Sequence, residues 1–242
     1  VFITGGGAGI GAALTEAFLT QGARVAFVQR SDATAFCDAL EARCGRRPLF
    51  LPCDVSDAGA LRAAIERAAA RHGPARILVN NAANDERHRV EDVTQAYWER
   101  NLALNLSAYF FAAQAVAPGM KTAGGGAIVN FSSISYMMGN AGYPAYATAN
   151  AGITGMTRAL AREFGPDGIR VNALAPGWVM TDRQRLLWAT PEDVAAHVAR
   201  QCIPRPLEPA DIVGSALFLA SAASRMMTGQ TLVIDGGVVF PG

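Results

Sequence analysis

A run of glycines near the start of the chain is the first group of residues whose type and spacing could do chemistry. Residues 4–11 read Thr-Gly-Gly-Gly-Ala-Gly-Ile-Gly, which places Gly5, Gly9 and Gly11 in the spacing G-x-x-x-G-x-G. Glycine permits a tight turn and lets a pyrophosphate approach the backbone, and the N-terminus of a following helix supplies N–H donors. A glycine run alone is also compatible with a plain tight turn. Because an apolar segment precedes this one and a helical pattern follows it, we predict a nucleotide-binding turn.

This turn and several later motifs together resemble the signature of the short-chain dehydrogenase/reductase family. The later motifs follow in the family's order: Cys-Asp-Val at 53–55, Asn-Asn-Ala-Ala at 80–83, Asn105, Asn-Phe-Ser-Ser at 130–133, Tyr146 and Pro-Gly at 176–177. The resemblance covers nearly the whole chain. It implies a seven-stranded parallel sheet, NAD(P)-dependent chemistry between alcohols and carbonyls and, usually, a tetramer.

The resemblance also assigns cofactor contacts. It places Asp54 and Val55 at the adenine, Asn80 and Ala82 on the adenosine side, and the segment 176–181 at the nicotinamide. The residues that we expect to contact the cofactor are Gly5, Gly9, Ile10, Gly11, Gln29, Arg30, Asp54, Val55, Asn80, Ala82, Tyr146, Asn150, Pro176, Gly177, Val179 and Thr181.

Tyr146 is the candidate catalytic base. Hydride transfer from an alcohol needs a base for the hydroxyl proton and a donor that stabilises the developing oxyanion. Of the five tyrosines, only Tyr146 has both Ser133 thirteen residues upstream and Pro144 two residues before it at a helix start. By the resemblance, Ser133 orients the oxyanion and Asn105 anchors a water for proton relay. From the residues alone, Tyr146 could be a core tyrosine and Asn105 a buried amide bonded to the backbone.

One position departs from the family pattern Y-x-x-x-K. Residue 150, on the same helix face as Tyr146, is Asn, and residues 122–156 contain no charge. A lysine would lower the tyrosine pKa from its usual value near 10, so losing a shift of about two units removes about a hundredfold in phenolate. Asn150 can still hydrogen-bond the nicotinamide ribose. Three interpretations stay open: natural activity displaced to high pH, an engineered inactivating change, or a nucleotide-binding relative that no longer turns over.

The end of the second predicted strand bears on the choice of cofactor. NAD-preferring relatives carry an acid there that binds the ribose hydroxyls and repels a 2′-phosphate. Here the sequence is Gln29-Arg30-Ser31. Gln29 removes the repulsion, and Arg30 with Ser31 could hold the phosphate, which slightly favours NADP over NAD. The alternative is a solvated arginine beside a Gln29 that bonds the ribose diol.

A charged loop and a later tryptophan suggest the substrate. Residues 84–89 (Asn-Asp-Glu-Arg-His-Arg) and the segment from 178 onward are similar to the aldose 1-dehydrogenase subgroup, D-xylose type. A sugar site needs polar groups converging beside an apolar wall. The candidate substrate residues are Asn84, Arg87, His88, Ser133 and Trp178.

The resemblance predicts oxidation of a cyclic aldose at C1 to its aldonolactone, and the acidic hemiacetal hydroxyl would tolerate a weaker base. Three alternatives remain. The loop could be merely solvated, the enzyme could reduce another carbonyl such as a 3-oxoacyl thioester or keto sugar, or the chain could bind nucleotide without catalysis.

These residues need a parallel sheet to bring them together. Short apolar runs alternate with helical patterns, which indicates parallel strands covered on both faces. The predicted strands are 1–4, 24–28, 48–53, 77–80, 127–131, 170–173 and 231–234, and the predicted helices are 10–21, 32–44, 57–72, 102–120, 145–164 and 211–221. We therefore predict a single doubly wound α/β Rossmann domain over residues 1–242. An insertion at about 181–209, with a helix start at Thr190-Pro191, either covers the ligand or is a surface excursion.

Composition excludes several classes of protein. The chain has 242 residues, 51% apolar and 17% charged, so it is not disordered. A net charge of +1 gives no support for a nucleic-acid or anionic-membrane partner. Three histidines and four cysteines without CxxC spacing predict neither a metal site nor disulfides. The same cysteine pattern predicts a cytoplasmic location. The uncharged residues 101–120 contain polar interruptions, so we expect protein rather than lipid around them. Val1 falls inside the first predicted strand, so we expect residues before it.

Oligomerisation follows from the resemblance, with local support. The helical patterns 102–120 and 145–160 are more apolar than one side of a sheet requires, and residues 238–240 add an apolar end. We expect a homotetramer.

Overall fold

Seven strands and ten α-helices alternate along residues 1–240, the part of the chain that the computed structural model describes. The strands are β1 (Phe2–Thr4), β2 (Ala26–Gln29), β3 (Leu49–Pro52), β4 (Ile77–Asn80), β5 (Gly126–Phe131), β6 (Ile169–Pro176) and β7 (Thr231–Ile234). They form one parallel sheet in the order β3-β2-β1-β4-β5-β6-β7. The predicted seven-stranded, doubly wound α/β fold is confirmed. The last two residues of the predicted domain, 241 and 242, lie outside the described residues.

The helices cover both faces of the sheet. They are α1 (Gly9–Thr20), α2 (Thr34–Cys44), α3 (Ala58–His72), α4 (Gln95–Leu102), α5 (Ala108–Thr122), α6 (Ser135–Met138), α7 (Pro144–Phe164), α8 (Asp182–Leu187), α9 (Pro191–Val198) and α10 (Pro209–Ala220). On one face, α3, α5 and α7 bury side chains such as Met120 and Ile153; on the other, α1, α2 and α10 bury Leu14 and Ile212. Because each strand contributes to both cores, its residues are apolar in succession.

The predicted helix over residues 102–120 is wrong as a single element. α4 begins at Gln95, capped by Thr94, and joins α5 through a π-helical segment, Ala103–Ser107. Gln95, Glu99 and Arg100 of α4 are exposed, and the pattern of apolar runs therefore does not indicate this helix. A π segment inserts an extra residue in the turn and is frequent at functional sites. This one carries Asn105, which is buried. Within residues 1–240, no helix combines the length and hydropathy needed to cross a membrane.

The segment 181–209 folds into two short helices at the carboxyl edge of the sheet. Thr181 caps α8 by accepting from the Gln184 N–H, and Thr190 caps α9 at the predicted helix start. An isolated bridge between Val179 and Leu207 closes the segment at its base. In open α/β sheets, ligands bind outside the carboxyl ends of the strands, where the strand order reverses. Here that point lies between β1 and β4.

Candidate active site

The glycine turn lies at this switch point and leaves a helix N-terminus open. Gly5 and Gly9 have φ of 69° and 52°, in the left-handed region that favours glycine. α1 begins at Gly9, and no side chain caps it. A Cβ on Gly11 would lie 1.8 Å from the Gly5 carbonyl oxygen, so only glycine fits there. The turn lines a cavity of about 880 Å³, which we call the turn cavity. Uncapped N–H groups beside a cavity of this size fit a dinucleotide pyrophosphate.

The far end of the turn cavity is lined by five predicted cofactor residues: Gln29, Arg30, Asp54, Val55 and Ala82. The Gln29 Oε1 accepts from the Gly7 N–H at 2.9 Å, and its Nε2 donates to the Ser31 carbonyl at 3.0 Å. Arg30 is exposed, with its Nη1 3.8 Å from the Asp54 Oδ2. A hydrogen bond from the Ser56 hydroxyl lowers the pKa of Asp54, which therefore stays ionised as an acceptor. These groups could bind an adenosine and its ribose.

Asn80 is the one predicted cofactor residue that lines neither cavity described here. Its side chain is fully buried, and its Nδ2 donates to the Asn130 Oδ1 at 2.9 Å and to the Tyr109 carbonyl at 3.2 Å. The neighbouring Asn81 lines both cavities instead, and donates to the Thr4 and Gly5 carbonyls. The expectation for the Asn80 side chain is corrected accordingly: successive residues at the end of β4 point in opposite directions, which turns Asn80 into the core.

A second cavity of about 460 Å³, the Tyr146 cavity, holds all four predicted catalytic residues in its lining: Asn105, Ser133, Tyr146 and Asn150. Ser133 follows the end of β5, and Tyr146 lies in the first turn of α7, which starts at Pro144. The predicted nicotinamide residues Pro176, Gly177, Val179 and Thr181 line it as well, and so do Ile10 and Gly11 of the glycine turn. Thr181 also lines the turn cavity, so the two spaces meet there.

Burial dominates the electrostatics of Tyr146. Burial, reinforced by the negative charge of Asp85, raises the pKa of Tyr146 to about 12, although hydrogen bonds with Ser133 and Asn150 oppose the rise. The Asn150 amide donates to the Tyr146 carbonyl at 2.9 Å, and the Asn150 carbonyl accepts from the Ser132 hydroxyl at 3.0 Å. Asn150 thus contributes hydrogen bonds but no positive charge. The phenol is a weak acid in this environment, and its phenolate is correspondingly a strong base.

Asn105 ties the π segment to the loop that follows β4. Its Oδ1 accepts from the Asn84 N–H at 2.8 Å, and its Nδ2 donates to the Asn84 carbonyl at 3.1 Å and the Asn101 Oδ1 at 3.0 Å. The side chain therefore makes three hydrogen bonds with protein groups and keeps one acceptor site on its Oδ1. It fixes the start of the 84–89 loop beside the Tyr146 cavity.

A chain of hydrogen bonds joins the loop to α8. The Trp178 Nε1 donates to the Gln184 Oε1 at 2.8 Å, and the Gln184 Nε2 donates to the Asp85 Oδ2 at 2.6 Å. Arg183 reinforces the junction by donating to the Asn84 Oδ1 at 2.8 Å. Trp178, Asp85 and Gln184 all line the Tyr146 cavity. They present an aromatic wall and a carboxylate to whatever occupies it.

The remaining predicted substrate residues divide. Arg87 lines the Tyr146 cavity and stacks over Trp188 at 4.6 Å, whereas Asn84 lines the turn cavity. His88 lines neither: its Nδ1 lies 2.9 Å from the Tyr97 hydroxyl, and its Nε2 faces the Ala145 N–H at 3.5 Å. The expectation for His88 is thus corrected to a residue that fastens the loop to the start of α7. Its two ring nitrogens face protein groups rather than open space.

Sequence reasoning missed Asp85, Gln184 and His197, which also lines the Tyr146 cavity. For Gln184 a signal existed, since Thr181-x-x-Gln184 matches the capping-box pattern that places Gln184 in the first turn of a helix. Asp85 lies inside the loop that drew attention, yet nothing in the sequence distinguishes it from its charged neighbours. His197 carries no local signal, because it reaches the cavity only through the packing of α9.

Comparisons with known proteins agree with this geometry. A family model described as enoyl-(acyl carrier protein) reductase matches residues 5–239. A probable galactose dehydrogenase from Rhizobium meliloti is 51% identical over 98% of this chain and 94% of its own length. A D-xylose 1-dehydrogenase from Caulobacter vibrioides is 47% identical over the same shares. A solved blue fluorescent protein from a metagenomic library, in complex with NADPH, is 37% identical with a TM-score of 0.91, covering 99% of this chain and 97% of that one.

The family model matches nearly the whole chain, and two dehydrogenases share about half of their residues with it. Both findings support the same family assignment. The uncapped helix N-terminus and the Tyr146 cavity are the corresponding features of the structure. The chain is an NAD(P)-dependent oxidoreductase and belongs to the short-chain dehydrogenase/reductase family.

Proposed function

We propose that this enzyme oxidises a cyclic aldose at C1 to its aldonolactone. The observation that carries the proposal is the polar lining of the Tyr146 cavity, where Asp85, Gln184 and Trp178 form one hydrogen-bonded chain. Recognition of a polyol needs several polar groups beside an apolar wall. A simple alcohol or a fatty acyl chain does not need this set of polar groups. The galactose and D-xylose dehydrogenases among the relatives support the same substrate class.

The dinucleotide would be held along the two joined cavities. The N–H groups at the start of α1 would bind the pyrophosphate, Asp54 and Val55 would contact the adenosine, and the segment 176–181 would face the nicotinamide. A nicotinamide held by the segment 176–181 would supply the hydride acceptor for the oxidation of the sugar carbon.

Tyr146 would remove the hydroxyl proton at C1, and Ser133 would donate a hydrogen bond to the same oxygen as negative charge develops. The raised pKa of Tyr146 leaves little phenolate near neutrality. A hemiacetal hydroxyl is more acidic than an ordinary alcohol. Its proton is therefore easier to remove when only a small fraction of Tyr146 is deprotonated. Asn105 would hold the loop after β4 and, as expected from the family, a water for proton relay.

We further propose a preference for NADP over NAD. Gln29 is neutral, and Gly7 and Ser31 already hold its carboxamide. Arg30 is exposed at the rim of the turn cavity, and its 3.8 Å separation from Asp54 is too long for a strong ion pair. The guanidinium is therefore available to a 2′-phosphate.

The test measures NAD and NADP reduction with an aldose panel between about pH 7 and 10.5, for the wild type and Asn150→Lys. Because the deprotonated base is active and its pKa lies above this range, the wild-type rate should rise across the whole range. In Asn150→Lys, the ammonium should lower that pKa and move the rise to lower pH. Silence of both proteins with every aldose, alongside turnover of a 3-oxoacyl thioester or keto sugar, would overturn the proposal in favour of another carbonyl reductase.

We also retain the homotetramer as a proposal. Phe110 and Phe111 on α5 are 40% and 38% exposed, and their rings pack edge to face at 5.5 Å. Such an aromatic pair on a helix surface suits a subunit interface. Light scattering after size exclusion measures the mass directly, and a monomer of 25.4 kDa would contradict the expectation.

A further inference from the structure

An aromatic wall that contacts two polar side chains stands out in the Tyr146 cavity. Trp178 forms the wall, and the ring of His197 packs against it edge to face, at 5.5 Å and 82°. The Trp178 indole also donates to Gln184, which in turn donates to Asp85. None of these three side chains donates or accepts the proton in the transfer assigned to Tyr146, although the Asp85 charge contributes to the raised pKa of Tyr146.

Asp85 is held in one orientation but keeps acceptor capacity. The 2.6 Å bond from the Gln184 Nε2 occupies its Oδ2, while the Arg183 Nε lies 3.6 Å from its Oδ1, too far for a good hydrogen bond. A carboxylate offers about four lone-pair sites on its two oxygens. The Asp85 side chain is 30% exposed and lines the cavity, so the remaining sites are open to a hydroxyl donor.

His197 supplies the independent indication of a ligand. Its Nε2 is buried and has no hydrogen-bond partner among residues 1–240. Burial lowers the pKa of His197, which keeps the imidazole neutral at physiological pH. Buried polar atoms in native proteins nearly always find a partner, so an unpaired nitrogen on a residue that lines a cavity favours a ligand atom as that partner.

We propose that Asp85 and His197, which line the Tyr146 cavity together with Trp178, form a subsite that recognises ring hydroxyls of the sugar. This proposal rests on the proposed function, since it assigns residues to the recognition of the aldose. Galactose and xylose, which the names of two relatives give as substrates, have the same configuration at C2 and C3, and we assign the hydroxyls on those carbons to Asp85 as part of this proposal. Gln184 is the positioning residue, because it fixes the carboxylate and the indole relative to each other.

The experiment compares D-galactose with 2-deoxy-, 3-deoxy- and 6-deoxy-D-galactose. Binding to the enzyme saturated with NADPH is measured by calorimetry, and kcat/KM is measured with NADP at one fixed pH. Asp85→Asn keeps an oxygen for Gln184 and removes the charge, and His197→Phe keeps the edge-to-face packing while removing Nε2. Glu192→Gln, on the exposed surface of α9, is the matched charge control.

The wild type should bind the 2-deoxy or the 3-deoxy sugar about tenfold to a hundredfold more weakly than galactose, which is the range for a hydrogen bond to a charged group. The 6-deoxy sugar should bind almost as galactose does. Asp85→Asn should bind galactose more weakly than the wild type does, by that same factor. For the affected deoxy sugar, the substitution should weaken binding by less than about threefold. His197→Phe should cost about twofold to tenfold. Because each ratio compares two substrates on one protein, the effect of the Asp85 charge on Tyr146 cancels.

Equal weakening of all four sugars by Asp85→Asn would overturn the subsite and make Asp85 a shaping residue. If that variant fails to bind NADPH, the wild-type and His197→Phe series decide alone: equal affinity of the wild type for every sugar overturns the proposal. If the wild type discriminates between the sugars in binding but oxidises none of them, the proposed dehydrogenase reaction is overturned and the subsite stands. If it oxidises the sugars but binds them all equally, the subsite is overturned and the reaction stands.

Discussion

The two joined cavities differ in the parts of the chain that form their walls. The turn cavity is built around backbone features, namely a glycine turn, an uncapped helix N-terminus and the ends of β1, β2 and β4, and side chains of the 84–89 loop and α8 complete its lining. The Tyr146 cavity is shaped by side chains from distant segments, and its Gln184–Asp85 bond joins residues that are 99 positions apart. Backbone geometry is set locally by residue types such as glycine, whereas a wall of side chains depends on every element that carries one. Substitutions in the turn cavity should therefore change cofactor binding and stability. Substitutions in the Tyr146 cavity should change catalysis and substrate selectivity.

The largest effect is expected where the comparison is sharpest, at Tyr146. Tyr146→Phe removes the proposed base and leaves the backbone of the turn cavity untouched. We expect kcat to fall by about 10²–10⁴-fold, while the Kd for NADPH, measured by fluorescence titration, stays within about twofold. Tyr136→Phe, in α6 and outside the lining of both cavities, is the control. A Tyr146→Phe enzyme with more than a tenth of wild-type kcat would remove the residue from the role of base.

Gly11→Ala should break the backbone side. The new Cβ would lie 1.8 Å from the Gly5 carbonyl oxygen, and neither backbone segment can move without opening the turn. We expect a loss of roughly 3 kcal/mol in the free energy of unfolding, together with weakened NADPH binding. Urea denaturation measures the first. The matched change Gly214→Ala, in α10 with no atom within 4 Å of the new Cβ, should instead stabilise by about 0.5–1 kcal/mol. Equal behaviour of the two variants would contradict the packing argument.

Asp85→Asn separates charge from shape on the side-chain side. Burial is the main cause of the raised pKa of Tyr146, and the Asp85 charge adds to it. Removing that charge lowers the pKa, so more phenolate is present at any given pH below it. At saturating sugar, kcat at pH 8 should therefore increase by up to about tenfold, and the alkaline rise should move to lower pH. The same profile from Glu192→Gln should match the wild type, and an unmoved Asp85→Asn profile would dismiss the electrostatic link.

The smallest effect is expected at the solvent-exposed rim of the turn cavity. Arg30→Ala should raise the KM for NADP by about fivefold to tenfold, because an exposed guanidinium binds a phosphate only moderately, and should leave the KM for NAD nearly unchanged. Steady-state kinetics with both cofactors measures the ratio. Arg225→Ala, at an exposed site far along the chain, is the control for a lost positive charge. A parallel change for NAD and NADP would withdraw the proposed preference.

Individual residues show how far sequence reasoning reaches. Fifteen of the sixteen predicted cofactor residues line one of the two cavities, because their positions follow from strand ends and the glycine turn. Asn80 fails by one residue, since the pattern of a motif does not say which of two adjacent amides faces outward. His88 fails because a histidine in a polar loop can serve a ligand or its own chain equally well, and here Tyr97 and Ala145 occupy it.

The sequence by itself determined the fold class, the glycine turn before α1, and the departure at Asn150. These follow from local physics: apolar periodicity, the conformational freedom of glycine, and the charge of one side chain. Only the tertiary structure decided that α8 and α9 lie over the Tyr146 cavity, that Gln184 holds Asp85, and that the His197 nitrogen lacks a partner. Those contacts join segments far apart along the chain, and their free energy depends on distances that no stretch of sequence specifies alone.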